Sequence, residues 1–429
     1  MKPNPQSVVE KVEGLREYIF TSLQEIVAIP SVNHPPTGDE YECQMAVARR
    51  WREMGLEPEI YTLDTVAGLR THPRYFPGRE YDRRPNVLVR LKGRGGGKSL
   101  LLSGHIDTVP LGVQPWKHSP FQPAVEGGRM YGLGAYDMKC GVAVMLGVMR
   151  TLHELGVSLK GDLLAETVVD EEFGGVNGTL AGRLRGDNAD AVIITEPSDL
   201  AINNGVRGGV VAHFLLTGAE GIMFGNEEPG HAVRMLAHFL KWVDIFRQRR
   251  RAKVPGWVGG PRDPVPVWVT KVSAGGWGTN VPLTVPAEVR VELYYQLVPG
   301  EGQAGVMAEF YTWLDEMVAD KPNDFAGRPS VTFPYRFMPA SEIPADAPLI
   351  QALNRCVQQV TGSPVEVRPA SAPSDLFTVQ RDFGLPGIHF GPRGGGAHAA
   401  DEYVELEDLL TVTKAITLLA LDWCEVAET

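Results

Sequence analysis

A histidine and an aspartate two residues apart close an apolar run at Leu101-Leu102-Ser103-Gly104-His105-Ile106-Asp107. The run 99–102 predicts a buried strand of a parallel sheet. That puts His105 and Asp107 at its carboxyl end, where open α/β sheets place their ligand sites. In extended backbone, residues two apart share a face. A metal-binding imidazole usually donates its second ring N–H to a carboxylate or carbonyl, so His-x-Asp has the parts of a metal ligand. Other segments carry residues of the same kind. Asp137 lies in a glycine-rich turn, 127–141, that opens an apolar helix; the spacing fits neither GxGxxG nor GxxxxGK(S/T), which argues against a nucleotide loop. Asp170-Glu171-Glu172 tips a strand ahead of Gly174-Gly175. Three consecutive acids repel one another, so they either face water or meet cations. Glu196 ends an apolar strand over 190–194, where an unpaired carboxylate is costly. His398 follows the strand 386–390 in the loop Gly391-Pro392-Arg393-Gly394-Gly395-Gly396-Ala397.

His105, Asp137, Glu171, Glu172, Glu196 and His398 thus each end a strand or occupy the loop after one, and a metal centre explains that convergence better than chance. Histidine and carboxylate donors without thiolate suit Zn²⁺, with Co²⁺ or Mn²⁺ as substitutes. One metal takes three or four ligands. Five ligands plus a spare glutamate suit two divalent ions about 3.5–4 Å apart that share a carboxylate. Adjacent Glu171 and Glu172 can divide two jobs, one carboxylate on metal and its neighbour moving protons.

Positioning these residues calls for a layered α/β frame. Helical spacing over 8–29 and 40–54, strands over 57–63 and 86–91, and a helix over 142–155 open a three-layer αβα domain. The pattern changes from 205 onward. Strands over 210–216, 265–272, 287–297 and 330–337 and helices over 229–246 and 304–318 predict a smaller α+β domain with an antiparallel sheet. The Pro- and Gly-rich stretch 251–265 reads as a loop. The helix 347–361, the strand 386–390 and the helix 406–425 return to the first fold. The expected division is a metal-binding larger domain, 1–205 with 342–429, and an inserted smaller domain, 206–341.

The chain has 429 residues, 43% hydrophobic and 22% charged, the balance of a soluble enzyme. A formal net charge of −11 argues against nucleic acid as a partner. The basic run Arg247-Gln248-Arg249-Arg250-Arg251 reads as a solvated helix end whose cations suit the helix dipole. Four scattered cysteines without CxxC suit a reducing cytoplasm, and neither a signal peptide nor a membrane span is expected.

The motifs together resemble the dinuclear-zinc amidohydrolases that include acetylornithine deacetylase, succinyl-diaminopimelate desuccinylase, aminoacylase and glutamate carboxypeptidase. The matching segments are Ile29-Pro30-Ser31-Val32-Asn33, Ser103 to Pro110, Tyr131 to Gly141, Asp170 to Gly175, Thr195-Glu196-Pro197, and Ala397-His398 followed by Asp401-Glu402-Tyr403. The resemblance runs over roughly 15–420. It implies that Asp137 bridges two metals, that His105 and Glu196 complete one site and Glu172 and His398 the other. It also implies that Glu171 is the general base, that Asp107 orients His105, that the Asp137–Met138 peptide is cis, that 1–205 with 342–429 is the catalytic domain and 206–341 a lid, and that the chain forms a homodimer through the lid.

The chain departs from this family at three places. No histidine occurs in 217–225, where the family usually offers an oxyanion-stabilising one; His213 and His231 are the nearest candidates. Leu293-Tyr294-Tyr295-Gln296 stands where family members often place a carboxylate-gripping arginine, leaving Arg207, Arg290 and Arg393. Cys140 replaces a usual glycine and reads as a small buried side chain. Asn280 matches a substrate-facing family segment, and Asn280, Arg207, Gly395 and Gly396 are the expected substrate contacts. The expected activity is metal-dependent hydrolysis of a small N-acyl compound. The alternatives are a deformylase of a carboxylate-free amine such as formylaminopyrimidine, a dipeptidase or carboxypeptidase, and more remotely a non-catalytic metal-containing binding protein.

Overall fold

The computed structural model describes residues 3–218, 221–222, 232–253, 266–276, 284–325 and 327–427. The chain divides into two compact units, 1–206 with 342–429, and 207–341.

A nine-stranded sheet organises the larger unit. Its order is Ser341–Glu342, Ile202–Val206, Gly387–His389, Ala191–Ile194, Leu100–His105, Leu163–Val168, Pro85–Leu91, Glu59–Thr62, with Val367–Ala370 beside Ile202–Val206. The centre is parallel, as expected: Leu100–His105 lies between Leu163–Val168 and Ala191–Ile194, and Gly387–His389 follows on. Toward both edges the pairing turns antiparallel. The central strands are buried along their whole length, which is why their sequences run apolar instead of alternating.

Helices Pro5–Gly14, Arg16–Ala28, Lys139–Glu154, Pro348–Thr361 and Leu406–Trp423 share one hydrophobic core with the sheet. The single helix expected over 8–29 is two, separated at Leu15 just after Gly14, a residue that weakens a helix interior. Helix Asn177–Arg185 and strands Ile202–Val206 and Val367–Ala370 have no counterpart in the sequence expectations. Among the described residues, no helix is long and apolar enough to cross a membrane.

In the smaller unit a four-stranded antiparallel sheet runs Val267–Ala274, Glu288–Leu297, Gly208–Thr217, Ser330–Thr332. Along Gly208–Thr217, Val210, Ala212, Phe214 and Leu216 point inward while His213 and Thr217 point out. Helices Ala232–Ala252 and Gln303–Asp320 supply Phe239, Phe246, Phe310 and Trp313 to the same core. The last strand stops at Thr332, short of the expected 337; Pro334 lacks the N–H a ladder needs. The fold is α/β with an inserted α+β unit, as its sequence pattern implies.

The solvated helix end expected over 247–251 holds for exposed Arg249 and Arg251 but fails at one residue. Arg250 is no solvated helix end: it is fully buried, and its guanidinium donates to Glu301, Glu309 and the Gln296 carbonyl. Two carboxylates and a carbonyl replace the water it would otherwise need. Arg250→Ala is therefore expected to destabilise the unit by about 3 kcal/mol, the low end for breaking a buried pair, because both glutamates keep some contact with water. Urea unfolding followed by tryptophan fluorescence measures this. A loss under about 0.5 kcal/mol, ordinary for a surface residue, contradicts it.

Candidate metal centre

Parallel pairing brings like strand ends together, and here it gathers the ligand-type residues. His105 is the last residue of Leu100–His105. Glu171 and Glu172 follow the neighbouring strand Leu163–Val168, and Glu196 follows Ala191–Ile194 on the other side. Asp137 stands just ahead of helix Lys139–Glu154. That helix starts close against the Glu196 segment: a Cβ at Gly141 would lie 2.0 Å from the Thr195 carbonyl oxygen, so only glycine fits. Cys140, next to it, is fully buried and donates its thiol hydrogen to the Tyr136 carbonyl at 2.8 Å, as a small structural side chain would. The Asp137–Met138 peptide is cis.

His398 reaches the cluster from a loop of a second small sheet, ordered Gly394–Gly395, Tyr403–Glu405, Arg129–Tyr131, Ala124–Glu126. This sheet joins the His398 loop to the Asp137 turn. Glu402 fastens them, accepting from the backbone N–H groups of Gly134 at 3.0 Å and of Tyr136 and Asp137 at 2.8 Å.

Asp137 faces both histidines. Its Oδ1 is 3.2 Å from His105 Nε2 and its Oδ2 is 3.2 Å from His398 Nε2. Glu196 Oε1 lies 3.3 Å from His105 Nε2, and Glu172 Oε2 lies 2.8 Å from His398 Nε2. Glu171 stands further back, with Oε2 3.9 Å from His105 Nε2. Two sets, His105–Glu171–Glu196 and His105–Asp137–Glu172, each have donor atoms within 4.8 Å of one another.

The electrostatics reflect crowded carboxylates. Burial pushes Glu171 well above the usual carboxylate range, lifts Glu172, and carries Glu196 to about 7. Burial also opposes the charge of Asp137, yet the two imidazoles hold it low. Against its own desolvation, His105 is raised by Glu196 and Asp137.

Asp107 does more than a histidine partner would. His105 Nδ1 is 2.9 Å from the Asp107 carbonyl oxygen, whereas the nearer carboxylate oxygen is 3.7 Å away. The carboxylate instead accepts from the backbone N–H groups of Glu171 and Glu172, both at 3.2 Å, and from Asn33 Nδ2 at 2.8 Å. Behind it lies a buried polar cluster that sequence reasoning missed. Asp170 accepts from Arg79, Arg84, Tyr81 and Asn33, and Arg84 also pairs with Glu40. The acidic triplet does meet cations at Asp170, and they are arginines from the 64–84 loop. Asp375, also unassigned from sequence, donates its backbone N–H to Glu171 Oε1 at 3.2 Å.

The expected substrate contacts are less clearly gathered. Asn280, His231 and 223–225 of the lid segment lie outside the described residues. Gly395 and Gly396 sit beside the His398 loop, with Gly395 paired to Tyr403. Arg207 Nη1 donates to Gln296 Oε1 at 2.8 Å, Arg290 faces Glu288 at 3.6 Å, and Arg393 is clamped by both oxygens of Asp408 at 2.6 and 2.8 Å. His213 lies on the outward sheet face, 2.7 Å from Glu292.

Comparison with known proteins places this geometry. The N-formyl-4-amino-5-aminomethyl-2-methylpyrimidine deformylase of Halalkalibacterium halodurans is 25% identical over 97% of this chain and 98% of its own. The succinyl-diaminopimelate desuccinylase of Leptothrix cholodnii is 26% identical over 90% of this chain and 94% of its own. The di-peptidase Dug1p from Saccharomyces cerevisiae shares the fold, with a TM-score of 0.78 at 15% identity and complete coverage of both chains. The model of peptidase family M20/M25/M40 matches residues 101–422. The chain belongs to that family, whose members hydrolyse amide bonds and bind a dinuclear metal centre.

Proposed function

We propose that this protein removes the acyl group from a small N-acyl amine, with His105, Asp137, Glu172, Glu196 and His398 holding two divalent cations and Glu171 moving the proton. The observation that carries the reading is Asp137, whose two oxygens each face a different imidazole. The donor set fits the cations. Donor atoms about 2.0–2.1 Å from a tetrahedral ion stand about 3.3 Å from one another, close to the 3.2 and 3.3 Å separations around His105. Oxygen and nitrogen donors without sulfur favour zinc. When bound, such ions polarise an amide carbonyl and make water more acidic.

The chain's own residues do the rest. Glu171 Oε2 takes a proton from the attacking water and later returns it to the leaving amine nitrogen. Asp107 fixes the main chain of Glu171 and, through its carbonyl, the ring of His105. His105 and Asp107 are buried, whereas Asp137, Glu171 and Glu172 are half-buried and His398 is exposed, so the cluster is open to water and substrate on the His398 side.

Two relatives of nearly full coverage act on N-acyl compounds by their names, one a formyl amine and one a succinyl amino acid. A carboxylate-free substrate is favoured by one observation: the Arg393 guanidinium is already clamped by both oxygens of Asp408 and Arg207 Nη1 is engaged by Gln296, which leaves only Arg290, an exposed side chain on the smaller unit's sheet, of the three candidates. Amine release from matched N-formyl, N-acetyl and N-succinyl substrates, with and without an α-carboxylate, tests this, using Zn²⁺-loaded and chelated protein. Chelator-sensitive turnover confined to the carboxylate-free series is the expected result. Turnover of only the carboxylate series supports an N-acyl amino acid deacylase, and no turnover of either moves the reading to dipeptides.

The same reading includes a homodimer through the smaller unit, checked by sedimentation. Trp268 and Val272, exposed on edge strand Val267–Ala274, are the apolar surface that supports it. A reducing cytoplasm is supported by the four cysteines, all free and buried.

A further inference from the structure

Glu171 is held at both ends. Its backbone N–H donates to Asp107 Oδ1, and its carboxylate Oε1 accepts the backbone N–H of Asp375, both at 3.2 Å. The second contact comes from a segment remote in sequence, so something must fix Asp375. Helix Asn177–Arg185 supplies it. Thr179, in the helix's first turn, donates its hydroxyl to Asp375 Oδ2. The other carboxylate oxygen, Oδ1, is buried without a hydrogen-bond partner among the described residues. Thr179 is therefore the side-chain anchor of Asp375 among those residues.

Packing fixes the same point from the other side. Gly175, φ +57, lies in the loop that carries Glu171, and a Cβ there would come within 2.9 Å of the Asp375 N and Cα. Its own N–H donates to the Glu171 carbonyl at 2.7 Å. The Asp375 backbone thus rests directly on the base-bearing loop. On its far side the Thr378 N–H donates to the Asp375 carbonyl at 2.8 Å, and Ser374 Oγ is held 2.9 Å from His389 Nε2.

We infer that Thr179 is a positioning residue. By anchoring Asp375 it aims the Asp375 N–H at Glu171 Oε1 and so leaves Oε2 turned toward the reacting water. The inference rests on the reading of Glu171 as the general base. Losing the anchor allows Asp375 to shift, and a displacement of about 1 Å in a catalytic group can cost on the order of a hundredfold in rate.

The test uses the Zn²⁺-loaded full chain and the best substrate of the N-formyl, N-acetyl and N-succinyl panel. Thr179→Val is expected to lower kcat by about tenfold to a hundredfold with KM and metal stoichiometry unchanged. The buried Asp375 carboxylate loses its donor, so the melting temperature falls as well, but Thr179→Val remains folded at the assay temperature. Thr179→Ser keeps the donor and should restore kcat to within about threefold. Because Thr179 acts through Asp375, adding Thr179→Val to Asp375→Ala should cost nothing further. Wild-type kcat in Thr179→Val, additive losses in the double variant, a loss explained by lost metal or by unfolded protein at the assay temperature, or a loss that serine does not rescue would each overturn the inference. If Thr179→Val does not fold, Thr179→Ala is read the same way. Glu171→Gln run alongside separates the two readings: normal turnover there removes the base assignment, whereas normal turnover in Thr179→Val alone removes only the positioning.

Discussion

Glu171→Gln is expected to bind two metal ions per chain like the parent protein and to lose about four orders of magnitude in kcat. The substitution keeps the volume of the side chain and a carbonyl oxygen that accepts the Asp375 N–H, so the loop keeps its anchor. What disappears is a group that can gain and release a proton. General acid–base catalysis contributes about 10²–10⁴-fold, and the upper end applies because one carboxylate serves both proton transfers. Metal content is unaffected because Glu171 Oε2 stands 3.9 Å from His105 Nε2, outside the 2.8–3.3 Å contacts that link the other donors. Bound metal measured by emission spectroscopy, beside kcat on the best amide substrate, gives both readings. Less than about a tenfold loss in kcat would make Glu171 dispensable and return the base assignment to another group.

The chemistry of this site was visible in the sequence for a structural reason. Strands 100–105, 163–168 and 191–194 are covered on both faces, so they appear as mainly apolar runs, broken only by Ser103, Glu166 and Thr167, with the site residues at or just beyond their carboxyl ends. His105, Glu171 and Glu196 stand where those runs end. The edges of the sheet were hidden because their cues are weak. Ile202–Val206 contains two asparagines and a glycine, Val367–Ala370 contains a proline, and their pairing joins segments far apart in the chain. Helix Asn177–Arg185 was obscured by Gly178 and Gly182, each seated where a Cβ would strike Val169 or Glu166. Buried cations escaped the sequence for a different reason: Arg79 and Arg84 carry no assignment there, and Arg250 reads as part of a solvated helix end. Arg79, Arg84 and Arg250 belong by composition to a solvated surface, and only their tertiary carboxylate partners make burial tolerable.

That dependence predicts a large loss of stability in Asp170→Ala. Asp170 is fully buried and accepts from Arg79 Nε at 2.9 Å, Tyr81 Oη at 2.8 Å, and Arg84 and Asn33 at 3.2 Å. Alanine would leave the Arg79 guanidinium, itself 3% exposed, with the amide oxygen of Asn33 and the ring of Phe173 and no carboxylate hydrogen-bonded to it among the described residues. Arg84 suffers less, because Glu40 still pairs with it. Breaking a buried pair from one side costs about 3–5 kcal/mol. Alanine must also adopt φ 72, a left-handed conformation that aspartate tolerates better. A loss of about 4–5 kcal/mol is expected, a large share of the roughly 5–15 kcal/mol by which domains are stable. Adding Arg79→Met should recover part of it, since the stranded cation is then gone. The change also reaches catalysis, because Asn33 bridges Asp170 to Asp107, and Asp107 holds the main chain of Glu171 and Glu172. Urea midpoints of the single and double variants, with kcat of each, decide the matter. A double variant less stable than Asp170→Ala alone would mean that Arg79 contributes packing and not charge.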